Sequence, residues 1–532
     1  MSDLNPASPA ASMRPSNAIV VLLDSLNRHM LGAYARQPGC EASGEFDTPN
    51  LDRFASRSLR FDKHFVGSLP CMPARHDILC GALDFLWRPW GSVEIWEDAI
   101  TFHARQKGVT TMLVSDHPHL FESGGENYHT DFHAWEYVRG HEGDPWKTVA
   151  DPSAVGAPEI PEARRAGIER PYDLSRSWFR GEEDFPGPRT MATAADWLRD
   201  NAGCHDRFLL FIDEFDPHEP FDTPEPWASK YDPDWQGPRL VWPPYAVGPV
   251  ARGEMPERDG RQVRANYGSK LSMIDAWFGR LLDTIDELGL AEDTAIIVCT
   301  DHGHYLGEKS VGELDIWGKP GVPHYEPLGH TPLFVCWPGC EPGRSDALTT
   351  NVDINATLVD LFGLEPSHRT HGRSLIPLVV GTGSSIREWA LAGVWGRQVH
   401  VIDSRRKYAR AHEGENAPLS MWSNRWSTMP LNALPGYRIP RPDQRAWLDT
   451  MPGSDVPVIR QPFAPGDLLP YWGMGARSEH FLFNLDEDPG ERRNLSGSAE
   501  ESAVEKDAID LLRAALEEVE APAEHFERMG IA

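Results

Sequence analysis

Short apolar segments recur along the first 380 residues, and each is followed by a polar loop. Five have the length of a buried strand: residues 18–23, 110–114, 208–212, 294–299 and 332–337. Continuous apolar runs of this length are typical of strands covered on both faces in a parallel sheet. A helical period over residues 267–288, ended by Gly289, precedes the fourth run, and helix followed by strand is the α/β pattern. The sequence therefore predicts an α/β fold with a large, mostly parallel sheet flanked by helices.

The pattern changes after about residue 385. Short strand-like runs at 389–394 and 399–402 are followed much later by alternating apolar residues at 481–485 and by a charged helical stretch at 500–519. Such alternation indicates half-buried strands. We therefore predict a smaller C-terminal antiparallel sheet plus helix. The predicted organisation is a disordered tail (1–16), a large α/β domain (17–380), a smaller subdomain (381–520) and a tail (521–532).

Polar residues follow several of the predicted strands directly. Asp24 follows the first, His117 and His119 the second, His218 the third, and Asp301 with His302 the fourth. Ligands of open α/β sheets gather at the carboxyl ends of such strands, so these side chains are candidates for a metal or catalytic site. Taken singly, Asp24 is equally compatible with a helix N-cap, and each histidine with an ordinary loop residue.

Cys71 lies in a stretch with the properties of a reactive site. Pro73 suits the first turn of a helix, which would place Cys71 and Arg75 four residues apart on one face. A cysteine at a helix N-terminus beside a guanidinium is expected to have a lowered thiol pKa and to attract anions. The alternative is a buried structural cysteine that precedes a helix.

Composition restricts the partners of the chain. The 80 acidic and 51 basic residues give a net charge of −29, which argues against nucleic acid or an anionic membrane as the main partner. Seven scattered cysteines favour a reducing compartment over a disulfide framework. Residues 1–15 lack the apolar core of a signal peptide, and no run of 18 apolar residues is present. We therefore expect a cytoplasmic location and no membrane span.

Several motifs resemble, in order, the sequence blocks of the type I sulfatases. They are Val20-Val-Leu-Leu-Asp24, Thr48-Pro-Asn-Leu-Asp52, Cys71-x-Pro-x-Arg75, Asp216-Pro-His-Glu-Pro220, Thr300-Asp-His-Gly303, Leu306-Gly-Glu308, Gly318-Lys319, Pro332-Leu-Phe-Val-x-Trp-Pro-Gly339 and the C-terminal block 483–495. The similarity covers roughly residues 17–500. Two features depart from the usual pattern: Ser25 stands where most sulfatases have a second aspartate, and Ser115-Asp-His-Pro-His119 replaces a Gly-Lys-x-His block. A single aspartate after the first strand is closer to the phosphonate monoester hydrolase branch.

The resemblance implies an alkaline-phosphatase-like fold and a nucleophile made by oxidation of Cys71 to formylglycine, which requires a formylglycine-generating enzyme as maturation partner. It implies that one divalent metal ion (Mn²⁺ or Ca²⁺, with Zn²⁺ as an alternative) is held by the ligand set Asp24, Cys71, Asp301 and His302. The cationic groups expected around a tetrahedral anion are Arg75, His218 and Lys319, and the leaving-group acid is His119 or His117. Met72 is an unusual second residue for the Cys-x-Pro-x-Arg motif.

The expected reaction is hydrolysis of a sulfate ester, with a small anionic ester as substrate. Hydrolysis of a phosphonate monoester or phosphodiester at the same site is the alternative, and a metal-binding homologue with unmodified Cys71 is a remoter one. The acidic C-terminal helix offers an interface for a homo-oligomer.

Overall fold

The computed structural model describes residues 14–35, 44–153, 169–320, 323–366, 368–429, 441–452, 454–470 and 479–532. The strands are β1 (Asn17–Leu23), β2 (Leu59–Phe65), β3 (Thr110–Ser115), β4 (Ala134–Tyr137), β5 (Phe208–Glu214), β6 (Ala246–Val247), β7 (Thr294–Cys299), β8 (Tyr305–Val311), β9 (Leu314–Gly318), β10 (Leu333–Cys336), β11 (Gly343–Thr350), β12 (Ala390–Gly393), β13 (Val399–Ile402), β14 (Arg406–Arg410), β15 (Leu419–Ser423), β16 (Trp447–Thr450), β17 (Pro457–Phe463) and β18 (Phe481–Asn484). The α-helices are α1 (Pro49–Ala55), α2 (Cys71–Cys80), α3 (Ile100–Gln106), α4 (Glu169–Arg176), α5 (Pro186–Asn201), α6 (Glu257–Glu287), α7 (Glu326–Gly329), α8 (Asn351–Phe362), α9 (Ile376–Val379), α10 (Ser502–Glu518) and α11 (Ala523–Arg528). Short 3-10 helices span Arg28–Met30, Gly32–Tyr34, Asp84–Leu86, Pro118–Phe121, Glu182–Asp184, Ala202–Cys204 and Leu290–Glu292.

The main sheet has eight strands in the order β11-β2-β10-β7-β1-β5-β3-β4. Strand β1 pairs in parallel with β5 and β7, and β3 pairs in parallel with β5 and β4. Strand β10 runs antiparallel to both of its neighbours, β2 and β7. The large, mostly parallel sheet predicted from the apolar runs is confirmed.

The alternation of side chains along β1 explains why its sequence is apolar throughout. Ile19 and Val21 belong to one hydrophobic cluster together with residues of α5 and α6, whereas Val20 and Leu22 belong to a second cluster with residues of α2 and α8. All four are fully buried. Helices therefore cover both faces of the sheet, and no position along the strand faces solvent.

The predicted long helix is confirmed and extends further than its apolar period. Helix α6 covers Glu257–Glu287, and Gly289 follows it with φ 67°, a left-handed conformation that glycine adopts without steric cost. No helix within the described ranges has the length and the apolar run that a membrane crossing requires.

Three smaller antiparallel sheets accompany the main one, in the orders β12-β13-β14-β18, β15-β17-β16 and β6-β9-β8. The first two, with α10, form the predicted smaller C-terminal sheet plus helix. One hydrophobic cluster joins Leu83 and Trp87 from the region after α2 to Val399 and Val401 of β13. The division at residue 380 stays a prediction, because the two parts share this core.

The C-terminus differs from the predicted tail. Residues 521–532 contain α11, and Met529 and Ile531 are almost fully buried in the cluster that also contains Leu512 of α10. The segment is too short to show a helical period, so the sequence pattern gave no sign of this packing. In the predicted N-terminal tail, residues 1–13 lie outside the described residues.

Candidate active site

Three adjacent strands bring the predicted site residues to one edge of the main sheet. Asp24 directly follows β1, Asp213 lies near the end of β5, and Asp301 is two residues beyond β7. Leu22 of β1 is in register with both Asp213 of β5 and Cys299 of β7. The parallel register therefore sets the three carboxylates side by side.

Cys71 is the first residue of α2 and is buried against this edge. Its Sγ lies 3.2 Å from Nε2 of His302 and 3.7 Å from Nζ of Lys319. Burial, followed by the charge of Asp24, raises the pKa of the Cys71 thiol well above its usual value. The lowered thiol pKa predicted from the helix N-terminus is therefore wrong for the unmodified side chain, which stays protonated.

The four predicted metal ligands lie together. One ligand atom each from Asp24, Cys71, Asp301 and His302 falls within 4.8 Å of the others, and all four residues are buried. Oδ2 of Asp24 is inaccessible to solvent and accepts no hydrogen bond of good geometry from the described residues, although it lies 2.9 Å from Nη2 of Arg75. Nδ1 of His302 donates to the carbonyl of Gly303 at 2.8 Å, which leaves the Nε2 lone pair directed at the group. A carbonyl partner of this kind is typical of metal-binding histidines, so the residues present fit a divalent cation.

The charges and protonation states of these ligands also suit a cation. Burial opposes ionisation of Asp24, but Arg75 and Lys319 together lower its pKa to about 2. Burial lowers the pKa of His302, despite the adjacent Asp301. An ionised carboxylate and a neutral imidazole are the forms that bind metal.

Arg75 is held by carboxylates. It forms a bidentate pair with Asp213, with Nε 2.9 Å from Oδ2 and Nη2 2.7 Å from Oδ1. Nη1 donates to Oδ2 of Asp301 at 2.9 Å and to the carbonyl of Cys71 at 3.2 Å, while Nη2 lies 2.9 Å from Oδ2 of Asp24. The guanidinium predicted to face an anionic substrate is thus engaged on every nitrogen by the protein.

Lys319 also lies at the nucleophile, and none of the ion pairs found among the described residues joins its ammonium to a carboxylate. Its Nζ donates to Nε2 of His218 at 2.8 Å and to Oγ of Ser25 at 3.3 Å, in addition to its approach to Cys71. Burial opposes the charge, but the electrostatic interaction with the Cys71 side chain, followed by that with the carboxyl groups of Glu219, Asp24 and Asp301, raises the pKa of Lys319 overall. The ammonium therefore remains protonated and points at the site.

His218 differs from its predicted cationic form. Its Nδ1 donates to the carbonyl of Glu219 at 2.9 Å, and its Nε2 accepts from Lys319. Burial, and then the Lys319 charge, lower the pKa of His218 well below its usual value. The structure places a neutral imidazole here, in contact with the lysine.

His117 and His119 lie on one side of the site, with their rings 5.3 Å apart. Nε2 of His117 is 3.6 Å from Oδ2 of Asp24. Nε2 of His119 is 3.2 Å from Oε2 of Glu142, and its Nδ1 contacts Glu122. Burial disfavours the imidazolium, but these two glutamates raise the pKa of His119 to about 10. At neutral pH the His119 ring is therefore protonated on both nitrogens and positively charged.

The sequence patterns missed several residues that complete the site. Ser25, noted only as a lost carboxylate, donates from Oγ to Oδ1 of Asp24 at 2.8 Å and from its backbone N–H to Oδ1 of Asp301 at 3.0 Å. Asp213 supplies a carboxylate from the neighbouring strand. Its position at the end of an apolar run was the available signal, whereas nothing in the sequence pointed to Glu142.

Two further groups within the described ranges have metal-like spacing, and each contains ligand atoms that already have protein partners. In the group Glu142, His218 and Glu219, both nitrogens of His218 are engaged as described above. In the group His76, Cys80 and Glu97, the carboxylate accepts from both His76 and the guanidinium of Arg88. The second group is therefore an ion-pair network.

A protein-family model described as Sulfatase matches residues 16–364, more than half of the chain. The chain belongs to the sulfatase family. It is 26% identical over 425 residues to the choline-sulfatase of Rhizobium meliloti (strain 1021), covering 74% of this chain and 77% of that protein. It is 26% identical over 405 residues to the arylsulfatase A of Homo sapiens, covering 72% and 71% of the two chains.

The fold is similar to that of the phosphonate monoester hydrolase of Agrobacterium radiobacter, with a TM-score of 0.60, 17% sequence identity and coverage of 95% of this chain and 96% of that one. The family match confirms the predicted sulfatase family and its enzyme class, and the structural similarity confirms the predicted alkaline-phosphatase-like fold. In this sulfatase, the four residues predicted as metal ligands lie together in one buried group around Cys71.

Proposed function

We propose that this sulfatase hydrolyses a sulfate ester with formylglycine, formed from Cys71, as the nucleophile. The observation that supports the proposal is the arrangement around Cys71 Sγ, with His302 at 3.2 Å and Lys319 at 3.7 Å inside the group that also contains Asp24 and Asp301. After maturation, an aldehyde oxygen or the hydroxyls of its hydrate would stand where the sulfur stands here.

Asp24, Asp301, His302 and the modified Cys71 are proposed to hold one divalent cation, Mn²⁺ or Ca²⁺, with Zn²⁺ as an alternative. Such an ion, when bound, lowers the pKa of a neighbouring hydroxyl and neutralises negative charge on the transferred group. The remaining catalytic roles fall to side chains of this chain.

In the proposed reaction, one hydroxyl of the hydrated formylglycine gives up its proton to solvent and attacks sulfur, and the bond from sulfur to the alcohol oxygen breaks. Lys319 is placed to stabilise charge on the sulfuryl oxygens, and His218 orients its ammonium by accepting a hydrogen bond from it. His119, held protonated by Glu122 and Glu142, is proposed to protonate the leaving alcohol, for which its Nε2 proton would have to turn away from Glu142. The second hydroxyl at position 71 then loses its proton, its carbonyl forms as the bond to sulfate breaks, and water restores the hydrate.

An unmodified Cys71 or a serine could not complete this last step, because neither carries a second hydroxyl on the same carbon. We therefore propose that maturation by a formylglycine-generating enzyme is required. The remoter alternative, a metal-binding homologue with an unmodified thiol, predicts metal binding without turnover.

Hydrolysis of a phosphodiester or phosphonate monoester is the second candidate. It is favoured by Ser25, which leaves one aspartate directly after β1 where most sulfatases are expected to have two. The same nucleophile and the same Lys319 would serve either reaction.

The test compares an aryl sulfate with the matching aryl phosphodiester and aryl phosphonate monoester at saturating Mn²⁺. We expect the highest kcat/KM for the sulfate and no turnover of any ester by Cys71→Ala. Higher kcat/KM for either phosphorus ester would replace the leading assignment with the second. Turnover by Cys71→Ala would contradict the nucleophile.

A further inference from the structure

The guanidinium of Arg75 has no nitrogen left for a substrate. Its Nε, Nη1 and Nη2 each lie within 3.1 Å of a carboxylate oxygen, and Nη1 also donates to the carbonyl of Cys71. The side chain is 1% exposed, so water offers it no further partner. An arginine with all nitrogens engaged fixes the groups around it instead of binding an incoming anion.

Among its three carboxylates, Asp213 has a different position from the other two. Asp24 and Asp301 belong to the group suited to a metal, whereas the hydrogen bonds of the Asp213 carboxylate in the described structure all come from Arg75. Asp213 lies within β5, in register with Leu22 of β1, and its backbone is therefore fixed by the sheet. The bidentate geometry determines the plane of the guanidinium.

We propose that Asp213 is a positioning residue that holds Arg75 and balances its charge, so that Asp24 and Asp301 keep their affinity for a divalent cation. Arg75 and Lys319 carry two positive charges, and the three aspartates carry three negative charges when ionised. Without the Asp213 charge these five groups would be neutral together. Arg75, which already lies 2.9 Å from an oxygen of Asp24 and of Asp301, would then be paired only with the two metal-binding carboxylates. The inference rests on the metal site of the proposed function.

The direct test is the Mn²⁺ affinity of metal-free protein, measured by titration calorimetry for the wild type and for Asp213→Asn. Asparagine keeps the size of the side chain and removes its charge. We expect Mn²⁺ binding to weaken by about 10- to 100-fold, the range seen when partners of metal ligands are altered. Both proteins are prepared without formylglycine, so the result does not depend on maturation.

Asp353 provides a matched control. It forms a similarly buried bidentate pair with Arg387, whose Nε is 2.9 Å from its Oδ2, and its other hydrogen bonds come from backbone N–H groups at residues 350 and 373. Asp353→Asn should lower the melting temperature and leave the Mn²⁺ affinity within twofold of the wild type. If both variants lost metal affinity, general destabilisation would explain the result, and the proposal would be overturned.

A second readout uses matured enzyme. Because Arg75 has no free donor, Asp213→Asn should regain most of its kcat at saturating Mn²⁺ with little change in the KM for an aryl sulfate. A Mn²⁺ affinity equal to the wild type, or a KM raised more than tenfold at saturating metal, would overturn the inference. If the wild-type protein itself bound none of Mn²⁺, Ca²⁺ and Zn²⁺, the result would contradict the metal site of the proposed function, on which the role of Asp213 rests.

Discussion

Substitution of Lys319 by methionine separates the proposed catalytic charge from the metal site. Lys319 is a buried ammonium whose Nζ lies 3.7 Å from Cys71 Sγ and 2.8 Å from Nε2 of His218. Methionine has a similar length and is apolar, so the packing is largely kept while the charge and the donor are lost.

The expected loss follows from the position of the charge. Two unit charges about 4 Å apart interact by about 4 kcal/mol at an effective dielectric constant of about 20. Removal of one preorganised donor of this kind typically lowers kcat by about 10²–10³-fold, or about 3–4 kcal/mol. We expect a fall in kcat within that range. The Mn²⁺ affinity should stay equal or rise, because a positive charge beside Asp24 has been removed.

The assay measures kcat for an aryl sulfate at saturating Mn²⁺, normalised to the formylglycine content of the tryptic peptide 64–75 by mass spectrometry. Lys407→Met is the control, because Lys407 is an equally buried lysine whose Nζ pairs with Glu491 at 2.9 Å. Lys407→Met should destabilise the fold, because the buried ion pair with Glu491 is lost. It should keep kcat per folded molecule within about threefold, because the loss of this pair affects stability and not the reacting groups. A Lys319→Met kcat within fivefold of the wild type would refute the role of Lys319.

Three further predictions concern metal, pH and the C-terminus. Chelation should abolish ester hydrolysis and lower the melting temperature, and Mn²⁺ should restore both in the wild type but not in His302→Ala; activity that survives chelation would contradict the metal site. His119→Gln should lower kcat by about 10²–10⁴-fold for esters with poor leaving groups and much less for good ones. Since the pKa of His119 is raised to about 10 and an acid works only while protonated, wild-type kcat for a poor leaving group should hold at neutral pH and fall as pH rises through about 10; the same decline in the variant would assign that proton elsewhere. Met529→Ala should cost about 2–5 kcal/mol in urea unfolding, because the side chain is fully buried, and an unchanged unfolding midpoint would contradict the packing of α11.

Much of the fold could be predicted from local sequence pattern. The apolar runs are strands of the main sheet, the period before Gly289 is α6, and the short runs after residue 385 are strands of the smaller sheet. These predictions succeed because burial on both faces imposes an apolar residue at every position of a central strand. A segment such as α11, with too few residues to show a period, escapes the same reasoning.

The sequence by itself predicted the four candidate metal ligands, although not Asp213 or Glu142. Asp24, Cys71, Asp301 and His302 were identified from motifs and strand ends, and the structure brings their ligand atoms within 4.8 Å of one another. Motif spacing carries this information because parallel strands end at a common edge.

Only the tertiary structure decided the charges and partners of those residues. The N–H of Ser25 reaches Asp301 across 276 positions, and Arg75 reaches Asp213 across 138. A pKa depends on burial and on charges within a few ångströms, which the order of residues does not specify. Hence the raised pKa of the Cys71 thiol, the neutral state of His218 and the complete engagement of Arg75 by carboxylates became visible only when the strands were assembled.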